Sequence, residues 1–413
     1  MITLTLLHIL SADPLPGRSQ NLYLAWVDTV LAKPSNATAD LMAMNGFKIS
    51  NFHNIKLGDA QALLAAHRAT RQTVMADMIA DEVSDDGRHV QNQHVILATT
   101  SDFISMMGVT LRYGRNWTLA EDIARAPVVV IDTDLAQKLF GTANAVGRSV
   151  RLKQTLFRVV GVVQPFALQP RFYALSMGAY NSSAAENLYV PYAAAMDAGL
   201  MPYVSDGCDA SYKDSDSSSV NVVHCAALSL WLQLDTTQQI YTYRDFLQNY
   251  MAQQVKLAGF GKMPRSELTG VADWLKQNNV VPDSARLNVW LASSFLLLCM
   301  ANMAGLLSAR FMRRSSDVGI RRALGAPRRA IFLQHVLESS FMCIIGGLLA
   351  LPLTILGLWI LRQQDNEFSA MAHLDTSMFA SLFILTLAVG VSVGLLPAWW
   401  MSRIEPGLQV KDA

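Results

Sequence analysis

Residues 309–331 read ARFMRRSSDVGIRRALGAPRRAI, and the reading of this stretch decides the fold. Seven arginines stand in it, Arg310, Arg313, Arg314, Arg321, Arg322, Arg328 and Arg329, against one acid, Asp317. Two of the most apolar runs of the chain, 288–309 and 330–361, lie on either side, and a third follows at 377–401. A helix needs about 20 largely apolar residues to cross a hydrocarbon core of roughly 30 Å, and each run has that length. Lipid offers the backbone no hydrogen-bond partner, so helices are the expected form. Charged residues make up only 16% of the chain, below the roughly 25% usual for soluble domains. After residue 285 the charges gather between the apolar runs, which hold only Glu338 among them; the first 285 residues read as an ordinary water-soluble mixture.

The loops between the runs set the orientation. An excess of Lys and Arg marks the cytoplasmic side of a membrane. The arginine-rich loop is therefore expected inside, and the loop 362–376, with Arg362 against Asp365, Glu367 and Asp375, outside. By alternation the tail after Met401 lies inside and everything before residue 288 lies outside, which in a Gram-negative cell is the periplasm. The opening residues MITLTLLHIL are apolar but too few to span, and they lack a basic flank. They read as the outer end of a first membrane helix whose start is missing here, the alternative being a first strand.

The basic loop holds a helix of its own, at about 315–325. Ser315 or Ser316 suits the N-cap, and Asp317 falls in the first turn, where the helix dipole favours an acid. Asp317 and Arg321 are spaced for a surface pair. Gly325 stands where a helix-ending glycine belongs, and Pro327 suits the first turn of the next helix. Topology alone would need only the arginines. A capped helix with Val318, Gly319, Ile320 and Leu324 on the cytoplasmic side suits docking onto a partner, with Asp317, Arg321 and Arg322 fixing the register.

The segment RRSSDVGIRRALGAPRRAIFLQHVLES resembles the one after the second membrane helix in MacB/FtsX-type ABC transporter permeases. The run Gly319–Ala326 matches that family's pattern, while Asp317 and Val318 replace its glutamate and isoleucine. The ending LLPAWWMSRIEP is similar too, and ATTSDFISMMGVTLRYGRNWT, APVVVIDTDLAQKLFG, AVGRSVRL and FRVVGVVQPF resemble the family's periplasmic core domain. The resemblance implies four membrane helices with a large periplasmic domain after the first. It implies a separate ATPase docked under the loop helix, a permease homodimer or heterodimer, and membrane helices that form no substrate channel, with work done on substrate held outside by way of a periplasmic adaptor and an outer-membrane duct. Apart from membrane lipids no further partner is expected, and no nucleic acid.

The outside region, 11–285, reads as an α+β domain, with room for two subdomains. HVILATT, APVVVID, SVRLKQ and LFRVVGVV are strand-like, being rich in β-branched residues. SDFISMMG and TDLAQKLFG read as short helices closed by glycine, and IYTYRDFLQNYMAQQVKLAG as an amphipathic helix. In LSLWLQL the leucines 228, 230, 232 and 234 alternate, which predicts a half-buried strand. Residues 205–220 read as a polar exposed loop. Cys208 and Cys225 both lie outside, where oxidising surroundings favour a disulfide; two unrelated buried thiols are the alternative.

Catalytic signatures are absent from the sequence. It holds no GxxxxGK[ST], HExxH, CxxC or GxSxG, and no metal or cofactor site is expected. Two polar features fall in the membrane runs. Glu338, one turn after His335, is either a functional intramembrane acid or a residue at the interface. Gly390 and Gly394 form a GxxxG pair that permits close helix packing, within one subunit or between two. The expected protein has a periplasmic α+β domain at 11–285 and a membrane domain at 286–413 with helices at about 288–309, 330–361 and 377–401, after a helix stub at 1–10. It is not an enzyme but an inner-membrane, multi-pass permease for efflux or export, driven by an ATPase. The alternatives are a lipoprotein-releasing permease and a membrane-anchored sensor or scaffold.

Overall fold

The computed structural model describes residues 13–29, 53–84, 89–166, 168, 170–175, 186–202, 207–209, 221–258, 265–278, 280, 283–313, 320–321, 324–362, 384, 388–389 and 391–392. The chain divides into two compact units, one of them Ala12–Val280 and the other including Val281–Ala413. The expected stub at 1–10, and residues 210–220 of the polar loop, lie outside the described residues.

The first unit is built on a ten-stranded mixed sheet. Its strands are β1 Leu22–Val27, β2 Arg71–Ser84, β3 His89–Thr99, β4 Leu111–Gly114, β5 Val128–Asp132, β6 Ser149–Leu152, β7 Thr155–Val163 and β8 Leu188–Pro191. After the small hairpin of β9 Gly207–Cys208 and β10 Cys225–Ala226 come β11 Ser229–Gln233 and β12 Ser266–Gly270. The helices between them are α1 Leu57–Ala65, α2 Phe103–Met107, α3 Leu119–Ile123, α4 Thr133–Phe140, α5 Tyr192–Asp197, α6 Thr237–Ala258 and α7 Val271–Gln277.

The strand order is β12-β1-β11-β2-β3-β8-β5-β7-β4, with β6 joining β2 and β7 from the side. The first four strands are antiparallel neighbours. β1 therefore runs parallel to β2, with α1 between them in the chain, and β11 parallel to β12, with α6 between them. That is a split βαβ pair of the ferredoxin-like kind. Tyr250 on α6 donates to Asp59 on α1 at 2.7 Å, tying the two crossover helices together. The chain leaves this frame through the β2–β3 hairpin and returns at β11. The excursion carries the second lobe, in which β3 and β8 pair in parallel, β8 and β5 antiparallel, and β5 and β7 in parallel. One sheet therefore runs through both lobes.

Local sequence explains most of these elements. β5 is VVVID with all five residues buried, as expected of a β-branched strand covered on both faces. Asp132 closes it and caps α4, its Oδ1 accepting from the Leu135 N–H at 2.6 Å. The cap of that helix is thus the residue before the TDLAQKLFG segment, and Gly141 ends it in the left-handed region at φ 69°. Gly114 and Gly161 let β4 and β7 touch backbone to backbone. A Cβ on either would fall 2.3 Å from a carbonyl oxygen, of Val160 and Arg115 respectively.

One strand departs from its pattern. β11 is not half-buried: Leu230, Trp231 and Leu232 are all buried. Leu230 and Leu232 belong to the core cluster that also holds Tyr243 and Leu247 of α6. Trp231 points the other way and meets the Phe172 ring at 4.9 Å between centroids. The Trp274 indole of α7 donates to the Phe172 carbonyl at 2.9 Å, so a second layer covers this face. A buried ion pair, Arg171 with Glu186, anchors that layer, and Tyr173 donates to the same carboxylate at 3.1 Å. Burial in this apolar setting pushes the Tyr173 phenol well above its ordinary range.

The second unit contains α8 Asp283–Arg313 and α9 Arg328–Arg362. Among the described residues one helical stretch, Leu287–Arg310, is long and apolar enough to cross a membrane. The three-span bundle expected from the sequence is therefore seen only in part. α9 is continuous over the second expected span, with Pro352 inside it, but carries Arg328, Arg329 and Glu338 in its first half. The third run lies largely outside the described residues. Trp290, Leu291, Phe295, Leu297 and Leu298 of α8 are exposed, as are Leu333, Leu337, Phe341, Leu349 and Leu353 of α9. The hydroxyls of Ser294 and Ser308 donate to the carbonyls of Trp290 and Ala304 one turn earlier, at 2.9 and 2.8 Å. Hydroxyls on such apolar helices need a local acceptor where no water reaches.

Candidate functional site

The loop between α8 and α9 is the region where exposed apolar and charged side chains gather. Ile320 and Arg321 are helical, and the Leu324 N–H donates to the Ile320 carbonyl at 3.0 Å. The Ala326 N–H then reaches back to the Arg321 carbonyl at 3.0 Å, over Gly325 at φ +97°. This six-to-one bond over a left-handed glycine is the helix-ending pattern of a Schellman motif. Pro327 follows, and α9 begins at Arg328. Ile320 is 56% exposed and Leu324 84% exposed, one helical turn apart. Both therefore offer aliphatic surface on the same side of the loop.

Asp317, Val318, Gly319 and Arg322 lie outside the described residues, as do Gly390 and Gly394. Arg321 does not point only outward. Its Nη1 donates to Gln334 Oε1 of α9, at the long distance of 3.4 Å. Glu338 pairs with Arg310 of α8, Oε1 to Nη2, at 2.9 Å. In the sequence Arg310 reads only as a topology charge, and His335, one turn away, stands as the neighbour of Glu338. Ile331, in the first turn of the same helix, is only 5% exposed, a burial that the sequence does not single out. The signal available was spacing: Ile331, Gln334 and Glu338 stand at i, i+3 and i+7.

In the first unit Cys208 and Cys225 are joined by a disulfide. They face one another across β9 and β10. The neighbouring Asp209 takes Lys56 at 3.0 Å, which fixes this hairpin to the residue before α1. The bridge closes the segment that the sequence marks as a polar loop. Among the described residues no three His, Cys, Asp or Glu side chains gather as metal ligands.

The two units carry separate family matches. Residues 19–235 match the MacB-like periplasmic core domain, and residues 290–406 match the FtsX-like permease C-terminal region. The chain belongs to the MacB/FtsX-type ABC transporter permeases. Among similar proteins, the macrolide export ATP-binding/permease protein MacB of Acinetobacter baylyi is 22% identical over 364 residues, covering 87% of this chain and 48% of that protein. The protein of the same name from Bordetella avium is 21% identical over 366 residues, covering 86% of this chain and 50% of its own length. This MacB/FtsX-type chain thus spans about half the length of these relatives. The crystallised periplasmic region of MacB from Actinobacillus actinomycetemcomitans shares 17% identity at a TM-score of 0.40, covering 65% of this chain and 96% of that one. The family places a periplasmic domain on a membrane protein, and in this permease the α+β unit is that domain.

Proposed function

We propose that this permease is the membrane subunit through which a separate ATPase drives the periplasmic domain, in efflux or export from the cell. The chain sits in the inner membrane with α8, α9 and the run at 377–401 as spans. Residues 11–285 form the periplasmic part. Two permeases and two ATPases make the working unit, with an adaptor and an outer-membrane duct as further partners. The sequence contains no phosphate-binding loop of its own, while the names of the relatives combine an ATP-binding and a permease part.

The observation that carries this reading is the pair Ile320 and Leu324, exposed on a glycine-capped helix end between two long apolar helices. Exposed aliphatic side chains on a short rigid element suit a groove on a partner. Burying one such side chain contributes roughly 1.5–3 kcal/mol, which is about 10- to 150-fold in affinity. The test is Ile320→Asp, which would place a charge in that groove. Co-purification with the ATPase should fall by that factor, and the tolerance of cells to macrolides, the substrates named for the relatives, should fall with it. Membrane insertion and the disulfide in the periplasmic part should be unchanged. Normal co-purification of the variant would make the loop a topology signal and nothing more.

A further inference from the structure

A cleft of about 630 Å³ opens in the first unit between the split βαβ frame and the second lobe, a size usual for small-ligand pockets. Its two walls differ in chemistry. One is the segment from α2 to β4, where Ile104, Met106, Val109 and Leu111 line the space with aliphatic surface. α2 ends at Gly108, and the Val109 N–H folds back to the Ile104 carbonyl at 3.0 Å, so this wall is a tight turn off a short helix.

The other wall is polar and comes from the ends of the frame strands. Arg71 opens β2 and Gln233 closes β11, directly opposite one another in the sheet. The Arg71 Nη1 donates to Gln233 Oε1 at 3.2 Å. Arg18, in the turn before β1, reaches across to the second lobe. Its Nη1 donates to the Ser105 carbonyl of α2 at 2.9 Å, and its guanidinium lies over Gly108. A guanidinium has five N–H donors, so one bond each leaves both arginines with donors for a ligand. No carboxylate lines the cleft among the described residues. Asp235, near Arg71, already accepts from Gln233 Nε2 at 2.9 Å and from Asn21 Nδ2 at 3.4 Å. Asp102, before α2, takes the Gln72 N–H at 3.2 Å.

We propose that this cleft binds an anionic amphiphile, a carboxylate or phosphate head on a hydrocarbon chain, with the head at Arg18 and Arg71 and the chain along the aliphatic wall. The planar fork of a guanidinium matches the oxygens of either head, and hydrocarbon gains by leaving water for the opposite wall. A soluble ion would leave that wall without a partner, and an uncharged apolar molecule would leave the guanidinium donors without an acceptor. Membrane phospholipid and soluble fatty anions share the required chemistry. The site belongs to the periplasmic unit and does not depend on how an ATPase meets the loop.

The test uses the full chain in phosphatidylcholine nanodiscs and, as probe, dodecyl phosphate with a photoreactive diazirine at the end of its chain. Irradiation should label the peptide that holds residues 104–111. Arg18→Gln and Arg71→Gln should each lower that labelling about tenfold at limiting probe, the effect of losing one charge-assisted hydrogen bond. Ser105→Trp, at an exposed position of the cleft wall, fills the space and leaves both arginines in place, and it should abolish the labelling. Unlabelled dodecyl phosphate should compete, whereas inorganic phosphate and dodecyltrimethylammonium at the same concentration should not. Discs containing phosphatidylglycerol separate the two sources. Suppressed labelling there assigns the site to membrane lipid and undiminished labelling to a soluble anion, and either result agrees with the inference. Absence of label from residues 104–111 in the parent would overturn it, as would labelling that survives all the substitutions. So would equal competition by inorganic phosphate, which leaves the aliphatic wall without a role, or by the ammonium, which leaves the arginines without one.

Discussion

At the residue scale, Glu121 shows how a charge can fix a surface element. It closes a capping box with Thr118 at the start of α3, and Arg115 grips its carboxylate through two bonds of 2.7 Å. Hydrogen bonding by Arg115 is the chief reason its carboxyl is lowered to about 2. A carboxylate depressed in the folded state adds stability above its unfolded value, about 4.3, and loses it as the pH falls towards the folded one. The neighbouring Asp122 and Asp132 behave in the opposite sense, because burial raises both. Their cost is present at neutral pH and is relieved on protonation. Glu121→Gln keeps a capping-box residue but removes the charge that Arg115 pairs with, so it should lower stability by on the order of 1 kcal/mol at neutral pH. The difference from the parent should vanish between about pH 4.3 and 2. Denaturant unfolding of both proteins across that range measures it; a difference that persists unchanged at the acid end would contradict the role of the charge.

At the element scale, the hairpin of β9 and β10 is too short to stand by itself. Each strand has two residues, and the disulfide and the Lys56–Asp209 pair hold what two rungs of backbone bonding cannot. Closing a loop across a sequence separation of 17 restricts the unfolded chain by roughly 3 kcal/mol. Replacing Cys208 and Cys225 by serine should lower the unfolding free energy by about 2–4 kcal/mol under oxidising conditions, and reductant should do the same to the parent. Non-reducing peptide mapping identifies the linked pair directly. Two free thiols in protein recovered from an oxidising compartment would rule the effect out. The glycine end of the loop helix rests on a different device, a backbone φ of +97° at Gly325 that a side chain would strain.

At the scale of the whole molecule, the exposed apolar helices of the second unit require lipid or partner helices to cover them. The arginines between them require an aqueous face. The permease should therefore present Leu324 to the cytoplasm and the outer face of the β6–β7 hairpin to the periplasm. Single cysteines at Leu324 and Leu156, both exposed, make this measurable with a membrane-impermeant maleimide. Intact cells whose outer membrane has been opened should label Leu156→Cys and spare Leu324→Cys, and inverted vesicles should do the reverse. Labelling of both from one side would refute the topology.

The sequence by itself determined where the apolar runs lie, the strands richest in β-branched residues and the glycine that ends the loop helix. These are short-range properties: β5 is VVVID and Gly325 follows a helical segment, whatever surrounds them. It left β2 unread, because RQTVMADMIADEVS mixes acids and methionines that favour no strand until β3, β6 and β11 pair with it. Tertiary structure alone decided that the second lobe springs from the β2–β3 hairpin and shares one sheet with the first. It also decided that Trp231 is buried, because its cover comes from Phe172 and Trp274, far away in the chain. The same holds at the loop. Ile320 and Leu324 announce themselves by their spacing, but the partner of Glu338 is 28 residues away, and only the packing of α8 beside α9 selects Arg310 from seven arginines.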